Sequence, residues 1–145
     1  MIEPQDNIKN PAVGHFFPLP NAIFHLGLSV EEIATYAYLL YCEDRKTYQC
    51  FPSYSTIGDT IGKSRNSVKK YVDGLRDKGL IQTEPTKKIA KDGAVLNGNL
   101  LYTILPIQNG IDVYNETQLY LAQIELERQK IKQLAQKRGV NFKAG

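Results

Sequence analysis

The chain has 145 residues, 42% of them hydrophobic, and its 18 Lys and Arg against 15 Asp and Glu give a net charge of +3. This composition excludes a collagen-like, disulfide-scaffold or wholly disordered chain, and predicts one domain or one small domain with an appendage. No segment reaches the roughly 18 apolar residues that span a bilayer, and no secretory signal pattern is present. We therefore expect a cytoplasmic protein without a membrane partner.

The basic residues are concentrated in one part of the chain. Residues 63–91 carry nine basic and three acidic side chains, whereas residues 1–52 carry three basic and six acidic ones. A basic block in an otherwise near-neutral chain indicates a surface for a polyanion. A solvated lysine-rich face has the same composition, so charge alone does not decide between the two interpretations.

The sequence contains no recognisable catalytic or metal-binding motif. Two cysteines, Cys42 and Cys50, and two distant histidines, His15 and His25, do not form a known zinc pattern. We expect reduced thiols, although the cysteine spacing does not exclude a disulfide. A phosphate loop, a His-Glu-x-x-His motif and a Cys-x-x-Cys motif are all missing, so we predict no catalytic residue, no metal and no cofactor, and hence no enzyme.

The first helix follows a proline-rich arm. Residues 1–28 include four of the seven prolines, which predicts an extended arm that docks on the core after a frayed start. Ser29 and Glu32 form a capping-box pattern, and the apolar spacing behind them predicts a helix from Val30 to about Glu43. This helix is apolar over more than half its circumference, so we expect it to be central to the core.

Two further helices are predicted on either side of a tight turn. Ser53 is placed to cap a short helix over residues 54–61, and Ser64 to cap a second helix from Arg65 to about Lys78. Gly62 lies in the turn between them. The order of helix, short helix, turn and helix is the first sign of a helix-turn-helix.

A two-stranded wing is predicted after the second of these helices. Gly79 ends that helix, and residues 80–86 and 100–105 form the two predicted strands. The polar residues 87–99 between them have the composition of a hairpin loop.

A long C-terminal helix is the last predicted element. A capping-box-like start at residues 115–118 predicts a helix within residues 113–138, followed by a flexible tail over residues 139–145. Its apolar side chains approximate a heptad seam at Tyr120, Ile124, Ile131 and Leu134. Three roles remain open: a homodimer through this helix, packing on the first helix, or a linker to a further domain.

Residues 54–71 resemble the helix-turn-helix pattern. Gly58 stands where the pattern needs a small residue at the helix crossing, and Gly62 where it needs a glycine in the turn. Ile57, Ile61 and Val68 occupy its buried aliphatic positions. The fold class is therefore predicted as mainly α with a small β-hairpin wing: a winged helix-turn-helix over residues 29–106, followed by the long C-terminal helix.

A narrower resemblance covers residues 16–105. Residues 75–81, Leu-Arg-Asp-Lys-Gly-Leu-Ile, look like the entry into the wing of many bacterial winged-helix proteins. Residues 17–24, 28–33 and 51–54 are similar to the N-terminal DNA-binding domain of plasmid and phage replication initiators and related helix-turn-helix proteins. The resemblance implies sequence-specific binding of double-stranded DNA near an origin or operator. It leaves replication initiation and transcription regulation in a bacterial mobile element both open.

The resemblance also assigns site residues, because the N-terminal half of the second helix faces base edges in such folds. The predicted base contacts are Ser64, Arg65, Asn66 and Lys69; Arg65 suits guanine and Asn66 suits adenine. The predicted phosphate contacts are Ser53, Ser55, Lys63, Ser67, Lys70, Lys87, Lys88 and Lys91. The alternative function is a protein–protein interaction module that uses the same face without DNA.

Overall fold

The computed structural model describes residues 15–139, and the statements below concern that range. The helices are α1 (Val30–Cys42), α2 (Tyr54–Ile61), α3 (Arg65–Asp77) and α4 (Ile107–Lys137), with a 3-10 turn at Asn21–His25 ahead of them. The strands are β1 (Gln49–Cys50), β2 (Ile81–Glu84), β3 (Lys87–Ile89), β4 (Val95–Asn97) and β5 (Leu101–Ile104). The predicted frayed start, and the predicted tail from residue 140, lie outside the described range.

Side-chain caps set the start of the first three helices. Ser29 Oγ accepts the Glu32 amide at 3.1 Å while Glu32 Oε1 accepts the Ser29 amide at 2.9 Å, which closes the predicted capping box. Ser53 Oγ accepts the Thr56 amide, and Ser64 Oγ accepts the amide three residues further on. Their bounds agree with the sequence prediction to within one residue.

The strands form two small antiparallel sheets. The three-stranded sheet has the order β1-β5-β2, with Cys50 opposite Tyr102 and Ile81 opposite Ile104. β3 and β4 pair separately, with Ile89 opposite Val95. The predicted hairpin loop over residues 87–99 is therefore shorter than expected, because β3 and β4 extend the wing as a second ladder up to Ile89 and Val95, whose β-branched side chains favour strands.

The hydrophobic core lies between the three helices and the inner face of the sheet. Tyr36 and Leu39 from α1, Leu75 from α3 and Tyr102 from β5 are all fully buried. The segment before α1 also contributes, since Ile23 is fully buried. α1 thus occupies the centre of the domain, where its broad apolar circumference is covered.

α4 starts earlier than the predicted bound of residue 113. It begins at Ile107, directly after Pro106, and the predicted cap residue Asn115 lies exposed inside it. The physical reason is tertiary: Gly110 is buried, and a Cβ there would overlap the side chain of Leu80. The glycine and proline that suggest a break in the sequence instead allow the first turns of α4 to dock on the domain.

The later part of α4 leaves the domain. From Leu119 onward most apolar side chains are exposed, including Tyr120, Ile131 and Leu134, each more than half exposed. This part of the helix therefore does not pack on α1. Among the described residues, no helix combines the length and the apolar character that crossing a membrane requires.

Cys42 and Cys50 are not joined by a disulfide in the structure. The Cys50 thiol is buried and donates to the Leu39 carbonyl oxygen at 3.6 Å. Burial, with smaller contributions from Cys42 and Glu43, raises the pKa of Cys50 to about 12. Cys50 thus behaves as a small apolar core residue at neutral pH.

A buried carboxylate joins α1 to the end of α3. Glu32 is only 7% exposed and keeps its capping bond while Oε1 also accepts Lys78 Nζ at 2.6 Å. Gly74 makes room for this carboxylate, because a Cβ at that position would overlap Glu32 Oε2. The pair fixes the C-terminal end of α3 against the N-terminal end of α1.

We expect Lys78→Met to lower the free energy of unfolding by about 1 kcal/mol, because it leaves Glu32 buried with one partner fewer. The figure is reduced from that of a fully buried pair because the Lys78 side chain is 37% exposed. Arg76→Met is the matched control, since its partner Asp73 is 41% exposed and the loss should stay below about 0.5 kcal/mol. Equal losses in urea titrations of the two variants would contradict this assignment.

Candidate nucleic-acid interface

The turn between α2 and α3 is built around the backbone of Gly58. Its carbonyl oxygen accepts the amides of Gly62 at 2.8 Å and Lys63 at 2.9 Å. Gly62 has φ +75°, the left-handed conformation that glycine adopts at least cost. A Cβ on Gly58 would overlap the carbonyl oxygen of Lys63 and come within 3.5 Å of Val68 Cγ2. The predicted need for a small residue at position 58 is confirmed. A larger side chain there would collide mainly with the backbone of the turn.

The inner stripe of α3 fixes which side chains point outward. Val68, Val72 and Leu75 are fully buried against the core. With 3.6 residues per turn, Asn66 and Lys70 lie on the opposite side of the helix, and both are exposed. α3 therefore presents a polar, basic face to solvent.

The four predicted base-contact residues do not all have free polar groups. Arg65, Asn66 and Lys69 are exposed. The Ser64 hydroxyl is also exposed, but it accepts the Ser67 amide at 3.2 Å and donates to Ser67 Oγ at 3.0 Å. Base contact by Ser64 would compete with these capping bonds, whereas its backbone position at the start of α3 remains suited to a phosphate.

Arg65 lies at the edge of α3, toward the wing. It lines a cleft of about 200 Å³ together with Ser53 and Tyr54 of α2 and Asn99 and Tyr102 at the base of the wing. The cleft thus joins the start of α2, the start of α3 and the last strand. An anion seated there would meet Arg65 and the N-terminal end of α2 at once.

Tyr102 closes the floor of this cleft. Its side chain is fully buried, and its hydroxyl has no hydrogen-bond partner among residues 15–139. Burial is the main reason that the pKa of Tyr102 lies well above its ordinary value, so the hydroxyl keeps its proton at neutral pH.

The predicted phosphate contacts outside the wing fall on one side of the domain. Ser55, Lys63 and Lys70 are exposed, on α2, the turn and α3 respectively. Ser53 and Ser67 are partly buried, and both hydroxyls take part in helix capping. Lysines supply the free charge here, while the serines shape the helix starts.

The wing lysines do not share one face. Lys87 and Lys88 are consecutive in β3, so their side chains point to opposite faces of the β3–β4 ribbon. Lys87 Nζ donates to Asn97 Oδ1 across the ladder at 2.6 Å. Lys91 lies in the turn, where Gly93 has φ +85° and Asp92 Oδ1 accepts the Ala94 amide. A duplex that contacts one face of the ribbon would therefore contact either Lys87 or Lys88 directly, but not both.

The sequence prediction missed two features of this face. Ile89 and Val95 form an exposed apolar pair on the wing, 78% and 68% exposed. The sequence analysis treated both residues as part of a polar loop and did not predict this pair. Arg76 donates to Asp73 Oδ1 at 2.9 Å and to Thr83 Oγ1 at 3.2 Å, which ties α3 to β2. The three-residue spacing of Asp73 and Arg76 could have indicated their pairing, but nothing local indicates Thr83.

Within residues 15–139, no group of three or more His, Cys, Asp or Glu side chains is arranged to hold a metal ion.

These elements define a winged helix-turn-helix followed by a long helix. Residues 26–81 match the model of a family described as "Helix-turn-helix domain". This segment runs from just before α1 to the first residue of β2. The similarity to replication initiators has no counterpart in this match and stays a prediction. The comparison with curated proteins gives no match.

Solved structures give further likenesses of the fold. A possible transcriptional regulator from Methanosarcina mazei Go1 has a TM-score of 0.47 and 14% identity, over 72% of this chain and 80% of that one. The S. aureus MepR–DNA complex has a TM-score of 0.38 and 14% identity, over 81% and 83%. A MarR-family regulator from Silicibacter pomeroyi has a TM-score of 0.38 and 16% identity, over 86% and 79%. Similarities this low carry no inference about a ligand or partner.

We expect Gly58→Ala to destabilise the domain by about 2 kcal/mol, because the overlap with the turn backbone outweighs the gain in helix propensity. Asp59→Ala is the control, since its side chain is exposed in the same helix. Urea denaturation followed by circular dichroism measures both. A Gly58→Ala protein as stable as the unmodified chain would refute the packing described for this turn.

Proposed function

We propose that this protein binds double-stranded DNA in a sequence-specific manner, with the outer face of α3 in the major groove and the wing on the flanking backbone. The observation that carries the proposal is the basic, exposed N-terminal half of α3 on a helix-turn-helix whose inner side is fully buried. A helix of this kind fits the width of the major groove.

Charge supports this placement. Of the nine basic residues between positions 63 and 91, Arg76 is paired with Asp73 and Lys78 with Glu32. The other seven are exposed on the turn, α3 and the wing: Lys63, Arg65, Lys69, Lys70, Lys87, Lys88 and Lys91. The uncompensated positive charge suits a phosphate backbone, which dominates the affinity of such complexes.

The side chains divide into two proposed roles. Arg65, Asn66 and Lys69 are assigned to base edges. Ser64, at the start of α3, is assigned to base edges as well. The phosphate set is Ser53, Ser55, Lys63, Ser67, Lys70, Lys87, Lys88 and Lys91. Arg65 has a second option, since its cleft beside Ser53 and Asn99 also suits a phosphate.

We also propose a homodimer through α4. Leu119, Tyr120 and Leu126 are each more than half exposed on a helix whose first turns are docked on the domain. A second copy of the helix would cover these side chains, and it would pair two DNA-binding faces on a two-fold site. Half-sites spaced by one or more helical turns are the expected operator form.

The biological role is inferred from the sequence resemblance alone. On that basis we place the protein in transcription regulation or replication initiation of a bacterial mobile element.

A protein-interaction module is the second candidate, and one observation favours it. The apolar pair Ile89–Val95 stands exposed on the wing beside Lys87, and an isolated apolar patch with a basic neighbour suits an acidic protein surface. Under this alternative the lysines pair with carboxylates on a partner, and duplex DNA is not bound.

The test is a titration of labelled random-sequence duplex by fluorescence anisotropy at several salt concentrations. We expect Lys69→Ala/Lys70→Ala to weaken binding by roughly tenfold or more, and to reduce the magnitude of the salt slope by about 1 because Lys70 is the phosphate contact of the pair. Arg65→Ala should relax the preference for one base pair once a site has been selected.

Arg45→Ala/Lys46→Ala is the matched control, because it removes two exposed basic side chains from the loop after α1, outside both the proposed DNA contacts and the proposed dimer helix. The proposal requires this control to bind like the unmodified protein. If the folded protein binds no duplex at low salt, or if both double variants lose binding equally, DNA binding through α3 is excluded.

A further inference from the structure

A cavity of about 420 Å³ opens on a part of the domain that the proposed DNA contacts do not use. Its described lining comes from the end of α1, the loop after it, the end of β5 and the first residue of α4. The volume falls within the range of small-molecule sites in proteins.

The lining is apolar except for one carboxylate. Its apolar lining includes Tyr48, Leu105 and Ile107, with the nearly buried side chains of Tyr36, Leu40 and Ile104 behind them, and Glu43 stands at the end of α1. Glu43 Oε2 is buried and has no hydrogen-bond partner among residues 15–139. A buried carboxylate oxygen without a partner is costly, so a donor that reached this carboxyl group would be favoured.

The electrostatics of the cavity agree with that expectation. Burial raises the pKa of Glu43, and nearby Arg45 opposes this shift only in part. Burial, with a smaller contribution from Glu43, raises the pKa of Tyr36 to about 12, so that hydroxyl stays neutral. A cation in the cavity would hold Glu43 in its ionised form and pair with it away from bulk water.

The rim of the cavity is held in an uncommon backbone conformation. Tyr48 has φ +58°, in the left-handed region that residues with a Cβ seldom occupy. Its carbonyl oxygen accepts the Ile104 amide at 2.9 Å, and its amide donates to the Asp44 carbonyl oxygen at 2.7 Å. These bonds fasten the rim to β5 and keep the cavity open without a ligand. Strain of this kind is concentrated at functional sites.

We propose that this cavity binds a small organic cation, with an apolar body against Tyr48, Leu105 and Ile107 and one protonated amine at Glu43. The cavity favours a cation over an anion or a neutral molecule, because its described lining contains one carboxylate and no basic side chain. The apolar surface selects a hydrocarbon or aromatic body over a hydrated metal ion, which would need several oxygen ligands.

Isothermal titration calorimetry with 4-phenylbutylamine, and in parallel with the neutral 4-phenylbutan-1-ol, tests the proposal on the full chain without DNA. We expect the amine to bind and the alcohol to bind about tenfold more weakly or not at all. Glu43→Gln keeps the shape of the side chain, removes its charge, and should weaken the amine by about tenfold or more.

Glu116→Gln is the control, since it removes an exposed carboxylate from α4 and should leave binding unchanged. Equal binding of amine and alcohol would overturn the proposal, as would undiminished amine binding by Glu43→Gln. So would the lack of any heat of binding up to about 5 mM amine. If the Glu43→Gln protein does not fold, the proposal is tested by the comparison of amine and alcohol binding to the unmodified chain.

Discussion

The close approach of the α2–α3 turn to Gly58 is the constraint on which the rest of the structure depends. The Gly58 carbonyl oxygen accepts two consecutive amides, and the missing Cβ leaves room for the Lys63 carbonyl group. This contact fixes where α3 starts and how it is rotated, because Val68 follows directly into the core. A different rotation of α3 would turn its lysines toward the sheet and its apolar stripe toward water. The function proposed for the outer face therefore rests on a glycine that no ligand touches.

The far end of α3 is fixed by other small residues and one ion pair. Gly74 gives room to the Glu32 carboxylate, and Glu32 in turn pairs with Lys78. Gly79, with φ +76°, ends the helix region and lies directly beneath Val113 of α4. Both ends of α3 are thus positioned by backbone proximity, which leaves its long polar side chains unconstrained. Arg76, tied to Asp73 and β2, and Lys78, paired with Glu32, are the exceptions among the described residues.

Local signals made most of the fold predictable, and long-range contacts explain the differences. Ser29, Ser53 and Ser64 each cap a helix through atoms three residues away, so the sequence alone predicts these starts. The start of α4 depends on the close approach of Gly110 to Leu80, which lies thirty positions earlier in the chain. The sequence of the helix itself gives no sign of this contact. The cavity at Glu43 likewise brings together the end of α1, the end of β5 and the start of α4, which are far apart in the sequence. The β3–β4 ladder is local, but the polar composition of its segment did not indicate strands. The local motif predicted the helix-turn-helix that carries the candidate site, whereas the site itself and the roles of its side chains remain predictions.

The central claim is that α3 and the wing together form one DNA-binding face. The most direct measurement is a titration of the ¹⁵N-labelled protein with duplex DNA, with the amide shifts of each residue followed by NMR. The account predicts that the shifted amides are confined to residues 53–55, 63–70 and 87–97, with α1 and the later part of α4 unaffected apart from any change in dimerisation. Shifts concentrated around the Glu43 cavity or on the first turns of α4, with residues 63–70 unchanged, would contradict it.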